Sequence, residues 1–345
     1  MSTVGAAGKR TLVTGATGFI GGWLVDSLVN GGEAVRALVR PGTDPTRLAR
    51  KGAECVVGDL TDPASLARAV DGCGIVYHVA AVTTRRSVSN QDYEAVNVRG
   101  SADLATAAGR AGVRRLVHVS SCGVYGYRNR FPADEEAPLH PDTPYRISKA
   151  RGERAVLESA RRSGLPVVVA RISSIYGSGA KNWVPICRSI QEGRFRMIGD
   201  GKSRVHLAHV FDIVNGLRRC GETPGIEGRT YNLAAAEPIA IGELAEVIAA
   251  ALGVRMTKTV WPAFPFRVSR IVDLALCRIL GLKLRRIHSY DLFLGDRWFD
   301  ISKARSELGY SPTIATRDGM PALVEEYRAA GMLDTPSIDR ARSGR

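Results

Sequence analysis

Val13-Thr14-Gly15-Ala16-Thr17-Gly18-Phe19-Ile20-Gly21 is the stretch on which the fold turns. Arg10 to Thr14, leading into it, reads as a strand, and Phe19 to Asn30, leading out, reads as a helix. Glycine at 15, 18 and 21 lets the backbone turn tightly, approach a diphosphate and pack helix on strand. The helix N-terminus, at Phe19 and Ile20, adds unpaired N–H groups and the positive end of its dipole. A glycine triplet alone could be a structural turn. Between a strand and a helix of a βαβ unit it reads as a dinucleotide cradle.

The same alternation continues outward. Ala34 to Val39, Glu54 to Val57, Ile75 to Val79, Arg115 to Val119 and Val167 to Ala170 read as strands. Helices are expected near Asp92 to Ala111 and from about Tyr145. This order predicts an α/β fold, a Rossmann-like doubly wound parallel sheet, with its site at the carboxyl ends of the strands. After Gly177 the pattern loosens. Tyr231 to Leu233 reads as a strand, and Ile241 to Leu252, Val268 to Leu280 and Met320 to Ala330 as helices. Pro262 and Pro265 are expected to break the chain before the second of these. Residues 1–178, with a return segment at about 205–235, are expected to form the NAD(P)-binding domain. Residues 179–204 and 236–333 are expected to form a smaller C-terminal substrate domain, and 334–345 a loose tail.

Cofactor choice is read at the end of the second strand. An acid there would bond the ribose hydroxyls of NAD, but Val39 and Arg40 stand at that place and no acid follows until Asp44. Arg40 suits a 2′-phosphate, which favours NADP and leaves NAD open. Tyr145 and Lys149 are spaced i, i+4, so one helix presents both on one face. A neighbouring ammonium is expected to lower the tyrosine pKa and make it a usable acid/base. Ser121, at the end of the fifth strand, can hydrogen-bond the substrate oxygen.

The GxxGxxG spacing, the run Ser120-Ser121-Cys122-Gly123-Val124-Tyr125-Gly126 and the pair Tyr145/Lys149 together resemble the extended short-chain dehydrogenase/reductase superfamily, the NAD-dependent epimerase/dehydratase family. The resemblance implies a catalytic triad of Ser121, Tyr145 and Lys149, its register choosing Ser121 over Ser120. It implies cofactor contacts at Gly15, Gly18, Phe19, Ile20 and Gly21, at Asp59 and Leu60, at Ala80 and at Asn97, besides Tyr145 and Lys149. Helix packing is an equal reading for Asn97, and packing the better one for His78. Arg171 to Gly177 looks like the family's Arg-Pro-x-x-x-Tyr-Gly with Ile172 in place of proline.

Ile198 to Leu207 and Phe299 to Arg305 are most like the 3β-hydroxysteroid dehydrogenase-like group. That likeness implies an oxidoreductase for a hydroxyl or ketone on a substrate with a substantial apolar body. A nucleotide-sugar epimerase, dehydratase or reductase using the same triad is the alternative. Such enzymes grip the diphosphate with an arginine, whose place falls at about Tyr290, with Arg204 or Arg297 as substitutes.

With 345 residues the chain can bury a large core, and its net charge is +14. No aromatic-interleaved basic stripe is present, so a small-molecule substrate is expected and no nucleic acid. Six scattered cysteines fit reduced thiols in the cytoplasm and no metal site. A homodimer is left open. The segment Trp261 to Arg286 reads as a core helix with solvated basic flanks, or as the cap of an apolar entrance resting on an acidic membrane surface.

Overall fold

The computed structural model describes residues 10–83, 88–127, 129–256, 259–280 and 293–334. Seven strands, β1 (Arg10–Thr14), β2 (Val35–Val39), β3 (Glu54–Val57), β4 (Cys73–His78), β5 (Arg115–Ser121), β6 (Val167–Ile172) and β7 (Thr230–Leu233), form one sheet. Their order is β7-β6-β5-β4-β1-β2-β3, and every neighbouring pair is parallel. β2, β4 and β6 are buried at every position because helices cover both faces.

Successive residues of each strand feed opposite cores. Val13, Tyr77, Val117 and Val168 pack under α1 (Phe19–Asn30). Leu12, Val76, Leu116 and Val169 pack under α2 (Pro63–Val70), α3 (Ser101–Arg110) and α4 (Pro144–Ser163). The helix α5 (Val210–Glu222) returns to the first of these faces. Direction reverses between β1 and β4, where Thr14 pairs in register with His78. That reversal opens the crevice in which doubly wound sheets bind ligands.

Local chemistry fixes α4. The Thr143 side chain caps it by accepting the Arg146 N–H, Pro144 takes the first helical position, and Gly164 stops it in the left-handed region at φ +67°. Tyr145 is therefore in the first turn and Lys149 one turn later.

A second core gathers Trp183, Leu323 and Tyr327 with Leu244 and Ile248 of α6 (Ile241–Leu252). Ile301, Ala304, Leu308 and Tyr310 pack instead on the core of the sheet. Two expected helix starts are corrected. The helix α7 (Ala263–Leu280) begins before the expected break ends, because Pro265 falls in its first turn, where a missing N–H removes no helical bond. The last helix, α8 (Thr316–Ala329), begins a turn before Met320. The helix leading into α3 contains π-helical turns over Tyr93–Gly100, which no periodicity signals. No helix among the described residues is long and apolar enough to cross a membrane.

Candidate active site

The glycine loop folds back on the segment after β4. Gly15 has φ +71°, and a Cβ there would lie 2.7 Å from the Ala80 nitrogen. A Cβ on Gly21 would lie 2.1 Å from the Gly15 carbonyl oxygen, so α1 touches the loop backbone directly. Neither position has room for a side chain. Gly18 acts otherwise: its backbone is extended, and its N–H bonds the Gly15 oxygen at 2.9 Å. No side chain caps α1, so the N–H groups of Phe19 and Ile20 have no helical acceptor. Those are the donors a diphosphate needs, and the loop fits the group.

At the end of β2, Arg40 is exposed and has no ion-pair partner among the described residues. After β3, one carboxylate oxygen of Asp59 accepts from the Thr61 N–H at 2.9 Å and from its hydroxyl at 2.7 Å. The other has no partner among the described residues. Leu60 is buried, its carbonyl 2.8 Å from where a Cβ on Gly100 would lie.

A buried chain of hydrogen bonds joins these parts. The Ala80 N–H donates to Thr14 Oγ1 at 3.2 Å, and that hydroxyl donates to His78 Nδ1 at 2.8 Å. His78 Nε2 lies 2.8 Å from Ser101 Oγ, which donates to the Asn97 carbonyl at 2.9 Å. With both hydroxyl protons so placed, the ring is the neutral Nε2–H tautomer. Burial, then the charge of Lys149, holds His78 down to about 3. His78 therefore packs, as expected, and also ties β1 to the helix carrying Asn97.

The Asn97 amide clamps the chain at Val82, accepting from its N–H at 2.8 Å and donating to its carbonyl at 3.0 Å. Its other proton goes to Ser148 Oγ at 2.9 Å, and Ser148 donates to the Tyr145 carbonyl at 2.8 Å. Both Asn97 amide protons are thus engaged within the protein.

Lys149, one turn after Tyr145 on α4, reaches the carboxyl end of β5, the strand that ends at Ser121. Lys149 Nζ donates to the Val119 carbonyl at 2.7 Å, two residues before Ser121. Ser121 Oγ accepts the Gly123 N–H at 3.0 Å, leaving its own proton to donate elsewhere. Burial, then the neighbouring Tyr93, pushes Tyr145 up to about 12, and Arg146 pulls the other way. Burial pushes Lys149 down to about 8 against the opposing pull of Glu153. One expectation is corrected here: burial outweighs the nearby positive charge, so the Tyr145 phenol stands above its ordinary pKa and not below it.

Below this layer the buried Arg171 pairs with Glu153 at 2.6 Å and donates to Tyr125 at 2.9 Å and to the Glu135 carbonyl at 3.0 Å. Cys122 donates to the Arg171 carbonyl at 3.1 Å, and burial pushes its thiol up, away from nucleophilic use.

Residues 11–234 match the model of the NAD dependent epimerase/dehydratase family. The chain belongs to this family. It is an NAD(P)-dependent enzyme of the extended short-chain dehydrogenase/reductase superfamily. It is 30% identical over 322 residues to 4-hydroxy-2-methyl-3-oxo-4-farnesyl-3,4-dihydroquinoline-1-oxide ketoreductase of Stigmatella aurantiaca, covering 91% of this chain and 95% of that protein. It is also 30% identical over 340 residues to UDP-glucose 4-epimerase of Mycolicibacterium smegmatis, covering 92% and 98%. Among solved structures, gox2253 superposes with a TM-score of 0.81 at 30% identity, covering 95% of this chain and all of that one.

Tyr290, the expected place of a diphosphate-gripping arginine, lies outside the described residues. Arg204 is held by Asp296 at 3.0 Å and lies 4.7 Å over the Trp298 ring. Arg297 lies 4.9 Å over the Tyr127 ring and donates to its hydroxyl, with no carboxylate partner among the described residues. Ile172, where the family has proline, keeps its N–H and ends β6 opposite Ser121. Thr14, Ser101 and Ser148 were missed by the sequence reading. The β1–β4 register that pairs Thr14 with His78 could have found the first.

Proposed function

We propose that this chain is an NADP(H)-using oxidoreductase that interconverts a hydroxyl and a ketone on a substrate with a substantial apolar body. The observation that carries the reading is the bond from Lys149 to the Val119 carbonyl, which brings the Tyr145/Lys149 face of α4 to the strand end that bears Ser121. The bound nicotinamide supplies or accepts the hydride. In reduction Tyr145, a protonated phenol at neutral pH, gives its proton to the substrate oxygen. Ser121 donates a hydrogen bond to that oxygen with the hydroxyl proton that the bond from Gly123 does not use. Lys149 keeps two further protons, beyond the one on Val119, to hold the cofactor ribose. Gly15, Gly18, Gly21 and the N–H groups of Phe19 and Ile20 would hold the diphosphate of the cofactor, Asp59 and Leu60 would serve its adenine, and Ala80 would leave room beside it. Asn97 keeps that wall in place, and Arg40 reads the 2′-phosphate.

The apolar body is supported by the tyrosine at position 290 and by likeness to a ketoreductase whose substrate carries a farnesyl chain. A nucleotide-sugar reading is favoured by the likeness to UDP-glucose 4-epimerase and by the guanidinium of Arg297 beside Tyr127, which has no carboxylate partner among the described residues.

Stoichiometry separates the two. Purified chain given NADPH and a ketone with a long apolar body should produce a lasting fall in nicotinamide absorbance. Tyr145→Phe should slow it about 10²–10⁴-fold while the circular dichroism stays unchanged. Turnover of UDP-glucose with no net change in cofactor would overturn the reading, and equal rates with NADH would remove the role given to Arg40.

A further inference from the structure

The helix α7 turns its apolar side to water. Phe264 is 74% exposed, Val268 43%, Ile271 67% and Val272 49%. Their spacing, i, i+4, i+7 and i+8, is that of the stripe a globular helix buries. The core-helix reading of this segment therefore fails on exposure. The stripe continues into Val260, 57% exposed, and Trp261, 45% exposed and stacked on Phe266 at 5.8 Å. Trp261 is anchored, since Val260–Trp261 pairs in parallel with Met197–Ile198 and the Gly199 N–H bonds the Trp261 carbonyl at 2.9 Å. A contiguous apolar patch of this kind marks a docking surface.

Charge identifies what docks there. From Arg255 to Arg286 the sequence holds eight Lys/Arg and one acid, Asp273, half of the net charge of +14 in about a tenth of the chain. A second copy placed face to face would set that cationic segment against itself, because a two-fold interface repeats the same patch. A nucleic acid would satisfy the charge and leave the apolar stripe wet. Acidic phospholipid satisfies both, with Trp261 at the level where headgroup meets acyl chain.

We propose that the exposed face of α7, with Val260 and Trp261, docks the protein on membranes rich in anionic lipid. The inference rests on surface chemistry and goes beyond the proposed reaction, although a substrate with an apolar body would partition into the same bilayer.

Flotation of the full chain tests it without any turnover, so its failure is distinct from a failure of the redox reading. The protein should float with vesicles of phosphatidylcholine plus about a third phosphatidylglycerol, stay down with phosphatidylcholine alone, and release as salt is raised. The double variant F264D/I271D should lose at least about tenfold in vesicle affinity, with the same Tm and circular dichroism, because both side chains are already solvated. Absence of flotation with the anionic vesicles, or undiminished flotation of the double variant, would overturn the proposal. So would a dimer of the wild type that does not float and that the two substitutions dissociate, which would assign the face to a second copy.

Discussion

At Lys149 a buried ammonium is held by one backbone carbonyl, and burial keeps its pKa near 8, below the ordinary 10.5. The native protein therefore gives up this proton before the unfolded chain does. Between about pH 8 and 10.5 the unfolded state holds more protons, and the group's contribution to stability rises with pH. Below pH 8 the charged form weighs against folding by roughly 3 kcal/mol, the scale set by such a shift. Lys149→Met removes that pH dependence. The difference in unfolding free energy between wild type and variant should shift toward the wild type as pH rises from 8 to 10.5. A difference constant over that range would show that Lys149 is not buried as a cation. Tyr145, pushed up to about 12 in the same layer, stays a phenol throughout.

Among the elements, the loop between β1 and α1 shows how unequal neighbouring glycines can be. A Cβ at Gly21 would stand 2.1 Å from the Gly15 oxygen, while one at Gly22 would stand 3.6 Å from the Ala16 oxygen. Both residues lie in α1, where alanine is the better helix former by up to about 1 kcal/mol. Gly22→Ala should therefore raise Tm slightly and leave the affinity for NADPH unchanged. Gly21→Ala must lift the helix off the loop, and should lower Tm and weaken NADPH binding at least tenfold, by about 1.4 kcal/mol or more. Equal behaviour of the two variants in a thermal-shift titration would refute the close approach. The same economy of space governs α4, where a Cβ on Gly152 would lie 2.1 Å from the Asn97 carbonyl.

For the molecule as a whole, three buried histidines tie stability to acidity. Burial holds His78 near 3 and His206 near 4, and pushes His118 well below its ordinary value. Above about pH 6.5 all three are neutral in both states. Below it the unfolded chain takes up protons that the folded one refuses, so stability falls as pH drops toward 4. The slope should approach 4 kcal/mol per pH unit, about 1.4 for each ring. Urea unfolding at pH 7.5, 6 and 5 reads it directly. A stability flat down to pH 5 would mean that these rings ionise in place.

Much of the fold was legible because its signals are local. Strand and helix periods, the glycine loop and the i, i+4 spacing of Tyr145 and Lys149 depend on residues a few positions apart. So does Thr143-Pro144 at the start of α4, although the cap itself was seen only in the structure. These features determined a doubly wound sheet with its crevice beside the glycine loop. What depends on distant residues was decided by tertiary structure alone. The sequence could not show that Asn97 is engaged by Val82 and Ser148, that Arg171 pairs with Glu153, or that burial raises the Tyr145 phenol. Nor could it orient α7, since an apolar stripe has the same period whether it faces a core or water. Periodicity fixes which residues share a face; only packing against the rest of the chain fixes where that face looks.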